Sequence, residues 1–267
     1  MLQRTTTVNG HSIRYLDYRL PFDNAKDLVL LHGIGASADR WLRAAPILSR
    51  YFRVVVPDII GFGYSDKPTV EYTMEFFCDF LKDLLENLNI SRPNMIASSF
   101  GGHLASEFAI RYGDIERLVL VSPSGMMRTS SPTLDGYIMA ALYPTFDNAL
   151  KAFREMANDP DAVTDDIIMD FVNRMRLPNA KYAFMSTLLG IRYSPPLTGR
   201  LSSVSVPTLI VWGEADKMIP VQYAKHFTEI PNSELKIIPD CGHTPYVEEP
   251  EKFSKIALDF LNGKSRD

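Results

Sequence analysis

Four short apolar runs, three of them followed by a segment of helical spacing, constrain the fold of this chain more than any other feature. They are Leu28-Val29-Leu30-Leu31, Arg53–Pro57, Asn94–Ser98 and Leu118–Ser122. A short continuous apolar run suits a strand buried on both faces, as in a parallel sheet covered by helices. The segments between them carry the complementary pattern. Asp39–Tyr51 has helical spacing through Trp41, Leu42, Ala45 and Leu48. Thr73 is a plausible N-cap for a helix to about Leu88, and another helix runs from Phe100 to about Tyr112. Alternating strands and helices predict βαβ units and a mostly parallel sheet, an α/β fold.

The two ends extend this pattern. Thr5–Val8, a turn at Asn9-Gly10, and Ser12–Tyr18 read as an antiparallel hairpin. Thr208–Trp212 and Leu235–Pro239 resume the buried strands, and Pro250–Leu261 predicts a terminal amphipathic helix. Between them, from about Ser124 to Arg200, the rhythm breaks. No buried strand is evident there. Helices are expected at about Leu134–Leu142, Phe146–Asn158, Asp165–Met175 and Asn179–Gly190, with prolines as punctuation. The expectation is a core of residues 1–123 and 201–267 with a helical insertion at 124–200. The insertion enters after a strand C-terminus, on the edge where open parallel sheets bind ligands.

Charge and composition narrow the function. The net charge of −4 leaves no basic surplus for neutralising phosphates, so nucleic acid is not an expected partner. No run approaches the roughly 20 apolar residues that span a bilayer. The N-terminus has no long apolar stretch of the signal-peptide kind, so a cytoplasmic location without membrane partners is expected. The two cysteines, Cys78 and Cys241, are not a disulfide framework. They read as small buried side chains. Oligomeric state, monomer or dimer, is left open.

Three segments carry chemistry. Ala97-Ser98-Ser99-Phe100-Gly101-Gly102 lies where a strand hands over to a helix. Small residues two before and two after a serine permit a sharp turn that lifts its hydroxyl clear and aims a helix N-terminus at it. Ser99 meets that requirement with Ala97 and Gly101. Ser98 does not, because Ile96 would crowd the turn. Gly213-Glu214-Ala215-Asp216 follows a buried strand, where Asp216 can orient a histidine, with Glu214 as a rival acid. Asp240-Cys241-Gly242-His243 follows the last strand. The chain order Ser…Asp…His, all at one predicted sheet edge, separates this arrangement from other triad folds. The backbone amides of Phe100 and Ile34, the latter in His32-Gly33-Ile34-Gly35, are the expected oxyanion donors. His32 is expected to brace that loop and His103 to pack or to hydrogen-bond. His11 and His226 have no partner motif. Glu248 and Glu249 are read as acidic residues opening the final helix, explained by its dipole.

The motifs His32-Gly33-Ile34-Gly35, Pro57-Asp58-Ile59-Ile60-Gly61-Phe62-Gly63-Tyr64-Ser65, Ser99-Phe100-Gly101-Gly102, Gly213-Glu214-Ala215-Asp216 and Gly242-His243 resemble the α/β-hydrolase fold family. The similarity spans nearly the whole chain. It is greatest to the branch of small serine carboxylesterases and meta-cleavage-product C–C hydrolases. The resemblance implies an eight-stranded sheet, a helical cap after the sixth strand, and Ser99, His243 and Asp216 as nucleophile, base and orienting acid. It implies no metal or organic cofactor. Two departures stand out. Ala97 replaces the usual first glycine. Ser98 and Thr244-Pro245-Tyr246 stand where C–C hydrolases usually carry an Asn and a Trp. The expectation is therefore a carboxylesterase for small to medium acyl esters. C–C cleavage, lactone or thioester hydrolysis, and a non-catalytic ligand receptor are the alternatives. Gly33, Ser98, Met126, Tyr143 and Phe184 are the expected pocket residues. Arg174 and Arg176 could hold a substrate carboxylate, though both read more simply as solvated surface arginines.

Overall fold

The computed structural model describes residues 1–19 and 25–264. Strands β1 (Leu2–Val8) and β2 (His11–Tyr18) form the expected hairpin, and Asn9 and Gly10 take φ of 49° and 81° at its turn. Both positive values belong to the turn type that matches strand twist. The remaining strands are β3 (Asp27–Leu31), β4 (Arg53–Pro57), β5 (Asn94–Ser98), β6 (Arg117–Val121), β7 (Thr208–Gly213) and β8 (Ser233–Ile238). All eight join one sheet in the order β1-β2-β4-β3-β5-β6-β7-β8. The pairs β1–β2 and β2–β4 are antiparallel, and every pair from β4 to β8 is parallel.

The period-2 alternation of a strand divides the core into two layers. Val29, Leu31, Met95, Leu118, Leu120 and Ile210 face one side. Leu28, Leu30, Ile96, Val119, Val121 and Val211 face the other. The second layer is closed by α1 (Ala45–Leu48) and by Trp41 on a single 3-10 turn, Ala38–Trp41. One continuous helix was expected over this stretch. Pro46 prevents it, since a proline inside a helix lacks the N–H and clashes with the preceding turn. Here Pro46 stands instead in the first turn of α1.

The first layer packs on α2 (Met74–Asn87), capped by Thr73 Oγ1 accepting from the Phe76 amide at 3.1 Å, and on α3 (Phe100–Arg111). Between β6 and β7 lie four helices: α4 (Pro132–Leu142), α5 (Phe146–Met156), α6 (Asp165–Met175) and α7 (Ala180–Tyr193). Ser131 and Thr145 cap α4 and α5 through hydrogen bonds to the Leu134 and Asn148 amides. Then come α8 (Ala224–Phe227), α9 (Pro245–Glu248) and α10 (Pro250–Leu261), whose Phe253, Ala257 and Phe260 close the second layer.

The strand order reverses direction at β3, which has β4 on one side and β5 on the other. The loops leaving β3 and β5 are therefore neighbours at the C-terminal edge of the sheet. That is the crevice in which ligands bind to open α/β sheets.

Candidate active site

Ser99 joins β5 to α3 with φ 54° and ψ −117°. A non-glycine residue held in this region costs on the order of 1–3 kcal/mol and persists only when its surroundings impose it. Here the Ser99 amide donates to the Val121 carbonyl at 2.9 Å, and the Ser99 carbonyl accepts from the His103 and Ser124 amides. The glycines explain the tightness of the bend. A Cβ on Gly101 would lie 2.6 Å from the His32 carbonyl oxygen, and one on Gly102 would lie 2.7 Å from Pro123 Cβ. Ala97, in place of the usual first glycine, is fully buried in β5 and is not among the positive-φ residues, so its methyl is tolerated.

The loop after β3 lies against Ser99, since a Cβ on Gly33 would approach Ser99 Cβ to 3.2 Å. Three successive carbonyls of this loop are each held by a side chain. His32 Nδ1 donates to the Gly33 oxygen at 2.8 Å, the Tyr137 hydroxyl to Ile34 at 2.8 Å, and Arg174 Nη1 to Gly35 at 2.7 Å. The tautomer of His32 follows from its other nitrogen, Nε2, which accepts from the Ile59 amide at 3.0 Å. Burial lowers its pKa to about 4, so the ring stays neutral. Among the described residues the amides of Ile34 and Phe100 donate to no other group.

Asp216 lies beyond β7 and is 4% exposed. Its Oδ1 accepts from the Met218 and Ile219 amides, both at 2.9 Å, and its Oδ2 lies 2.8 Å from His243 Nδ1. The rival Glu214 is exposed. His243 Nε2 is buried and makes no hydrogen bond among the described residues.

Glu248 corrects the sequence reading. It ends α9 rather than opening the final helix, and a dipole does not explain it. Its Oε2 accepts from the Gly242 amide at 3.0 Å and the Asn158 amide at 2.8 Å, and its Oε1 from Thr244 at 3.3 Å. The carboxylate thus brackets His243 and ties its loop to the end of α5. Glu249, the N-cap residue of α10, keeps the original reading.

These groups border a cleft at the C-terminal edge of the sheet. The sheet edge supplies Gly33, Ile34, Ser98, Ser99, His243, Thr244 and Tyr246, and the helices after β6 supply Tyr137, Phe153, Met156, Phe171 and Arg174. Arg40 and Met218 also line the cleft. Gly33 and Ser98 stand where they were expected. Three residues do not. Tyr143 is 61% exposed at the end of α4. Phe184 is fully buried behind Gly35, where a Cβ on that glycine would meet its ring at 3.0 Å. Met126 is buried away from the cleft, with its sulfur 3.6 Å from Thr198 Oγ1. None of the three lines the cleft, which apolarity alone does not reveal.

Arg174 is the reverse case. It is only 2% exposed, with Nε on Asp170 at 2.8 Å. Arg176 is exposed and donates to the Pro144 carbonyl, so it stays a surface residue. His103 packs with neither ring nitrogen hydrogen-bonded among the described residues, and burial lowers its pKa to about 4. His11 and His226 lie outside the cleft. Both cysteines are buried and unbridged. No described helix is long and apolar enough to cross a membrane.

A family model for the alpha/beta hydrolase fold matches residues 27–250. The chain belongs to the α/β-hydrolase fold family. Among curated relatives of this α/β-hydrolase is a 2-hydroxy-6-oxo-6-(2'-aminophenyl)hexa-2,4-dienoic acid hydrolase of Metapseudomonas resinovorans, 28% identical across 99% of this chain and 92% of that protein. Another is a 2-hydroxy-6-oxononadienedioate/2-hydroxy-6-oxononatrienedioate hydrolase of Paraburkholderia xenovorans, 29% identical across 92% of this chain and 90% of that one. A solved meta-cleavage product hydrolase superimposes with a TM-score of 0.87 at 25% identity, covering 97% of this chain and 98% of its own.

Proposed function

We propose that this α/β-hydrolase cleaves a C–C bond beside the ketone of a 2-hydroxy-6-oxo-dienoic acid, with Ser99, His243 and Asp216 as its triad. One observation carries the reading. The serine on the strained turn opens into an apolar cleft that also holds two guanidinium groups, Arg40 and Arg174. Apolar walls suit the carbon skeleton of such a substrate, and a guanidinium free of a carboxylate partner suits its carboxylate. A neutral ester has no use for that cation. The relatives above, hydrolases of dienoic and dienedioic acids by name, support the same choice over the ester reading. The helices between β6 and β7 then act as a cap over the site.

In the mechanism we infer, the substrate enters as its keto tautomer. His243 Nε2 takes the Ser99 hydroxyl proton as Oγ attacks the C6 ketone. The Ile34 and Phe100 amides hold the oxyanion, a contribution of about 3–4 kcal/mol for a strong donor. The C5–C6 bond breaks, its electron pair passes through the conjugated enone to the C2 oxygen as a dienolate, and the His243 imidazolium returns its proton to that dienolate, which leaves as the 2-hydroxydienoate. Water, activated by His243, then releases the acid from Ser99. Asp216 keeps Nδ1 protonated and stabilises the imidazolium.

Ester hydrolysis by the same residues is the second reading. It is favoured by Ser98 and Thr244 on the cleft wall, where the C–C branch usually carries larger residues. Turnover of 2-hydroxy-6-oxo-6-phenylhexa-2,4-dienoate, followed by loss of the dienolate absorbance and release of benzoate, tests the proposal. The wild type should consume it and Ser99→Ala should not. A wild type inert towards it, or an active Ser99→Ala, would sink the proposal.

A further inference from the structure

The two guanidinium groups of the cleft are not equivalent. Arg174 is already committed. Its Nε donates to Asp170 Oδ2 at 2.8 Å, and its Nη1 to the Gly35 carbonyl at 2.7 Å. Asp170 offsets its charge.

Arg40 is in a different state. It stands on the 3-10 turn Ala38–Trp41 of the sheet core, half-buried on the cleft wall. Its guanidinium lies 5.4 Å from the centre of the Phe153 ring, and Nη2 reaches Thr244 Oγ1 only at 3.5 Å. Among the described residues no carboxylate pairs with it. Beside it on the same wall is Ser98, fully buried, with the Tyr246 hydroxyl close to both the Ser98 hydroxyl and the Arg40 guanidinium. A guanidinium without a carboxylate partner on an apolar wall is unfavourable, and a ligand carboxylate satisfies it.

We infer that Arg40, rather than Arg174, selects the anionic substrate, forming with Ser98 and Thr244 a carboxylate subsite on the core wall beside His243. Arg174 is then a positioning residue. It pins the Gly35 carbonyl, and with it the loop that carries the Ile34 amide. The identity of the acid rests on the C–C reading, but the subsite takes a carboxylate from any acyl substrate that fits the cleft. The dienedioate hydrolases among the relatives act on compounds with two such groups, by their names.

The test uses esters and a simple dicarboxylate, so that its outcome is separate from that of C–C cleavage. The probes are p-nitrophenyl butyrate, the mono-p-nitrophenyl ester of glutaric acid, and glutarate. In Arg40→Gln the ratio of kcat/KM for the anionic ester to that for the neutral ester should fall about 30-fold or more, chiefly through KM. Arg40→Lys should recover part of the ratio. Glutarate binding, read by calorimetry, should weaken in parallel and needs no turnover. Arg174→Gln should instead lower kcat for both esters and leave their ratio nearly unchanged. The inference is overturned if the ratio follows Arg174. It is equally overturned if glutarate binds Arg40→Gln as it binds the wild type, or does not bind the wild type at all. If the dienoate proves inert while the Arg40 contrast holds, only the C–C reading is lost.

Discussion

Replacing Tyr137 by Phe removes one oxygen and tests whether the helices after β6 hold the oxyanion loop. The Tyr137 ring packs on Phe153, Phe171 and Phe184 with centroid separations of 5.8, 5.4 and 6.2 Å, and the phenylalanine ring keeps those contacts. No cavity is created. What disappears is the 2.8 Å hydrogen bond to the Ile34 carbonyl. An unmet buried acceptor costs about 1–3 kcal/mol. In a chain of this size each kcal/mol lowers Tm by about 2–4 °C, so a fall of about 2–12 °C is expected. The effect on turnover comes from the same peptide segment. Complete loss of an oxyanion donor lowers kcat by about 100- to 1,000-fold, which sets the ceiling. Loosening the Ile34 amide without removing it should lower kcat by about 10-fold and change KM little. Steady-state kinetics and thermal unfolding of the two proteins are sufficient. A variant that loses stability but keeps the wild-type kcat would show that the loop holds its shape without Tyr137, and the reasoning would fail.

Other outcomes follow from the same contacts. Asp216→Asn keeps the side-chain volume but reverses the proton preference at His243 Nδ1, and should lower kcat by about 1,000- to 10,000-fold with an unchanged circular dichroism spectrum. Glu248→Ala leaves the Asn158, Gly242 and Thr244 amides without their acceptor. It should cost about 2–3 kcal/mol in urea unfolding and lower kcat, with Glu248→Gln intermediate. His32 and His103 are neutral in the folded protein, their pKa values lowered from 6.5 to about 4 by burial. As pH falls from 6.5 to about 4 the unfolded chain takes up these protons first, so stability declines across that window, by at most about 3 kcal/mol per histidine. His103→Leu should flatten that decline, and urea midpoints at several pH values in the window measure it. An unchanged slope would mean that His103 does not stay neutral.

What the sequence made legible was whatever has a local period or a local steric rule. The runs at Leu28, Arg53, Asn94 and Thr208 became strands because nothing but a doubly covered sheet buries such segments. The bend at Ser99 was legible because Gly101 and Gly102 have no alternative to glycine where they meet β3 and Pro123. Glu248 was misread because its partners, Gly242 and Asn158, come from two loops that meet only in three dimensions. Arg174 was misread for a related reason. A charged residue on an amphipathic helix is normally solvated, and only the carbonyl of Gly35, far away in sequence, draws this one inward. The pocket wall showed the same limit. Tyr143 and Phe184 are as apolar as Phe153 and Phe171, but the packing of α4 to α7 decides which rings reach the cleft.

The central claim is that this serine site is built for a carbon leaving group on an anionic substrate. It is tested most directly by measuring kcat/KM for 2-hydroxy-6-oxo-6-phenylhexa-2,4-dienoate and for p-nitrophenyl butyrate on one preparation of the protein. The account predicts the larger value for the dienoate, with benzoate as product. A larger value for the ester, with the dienoate left intact, would contradict it.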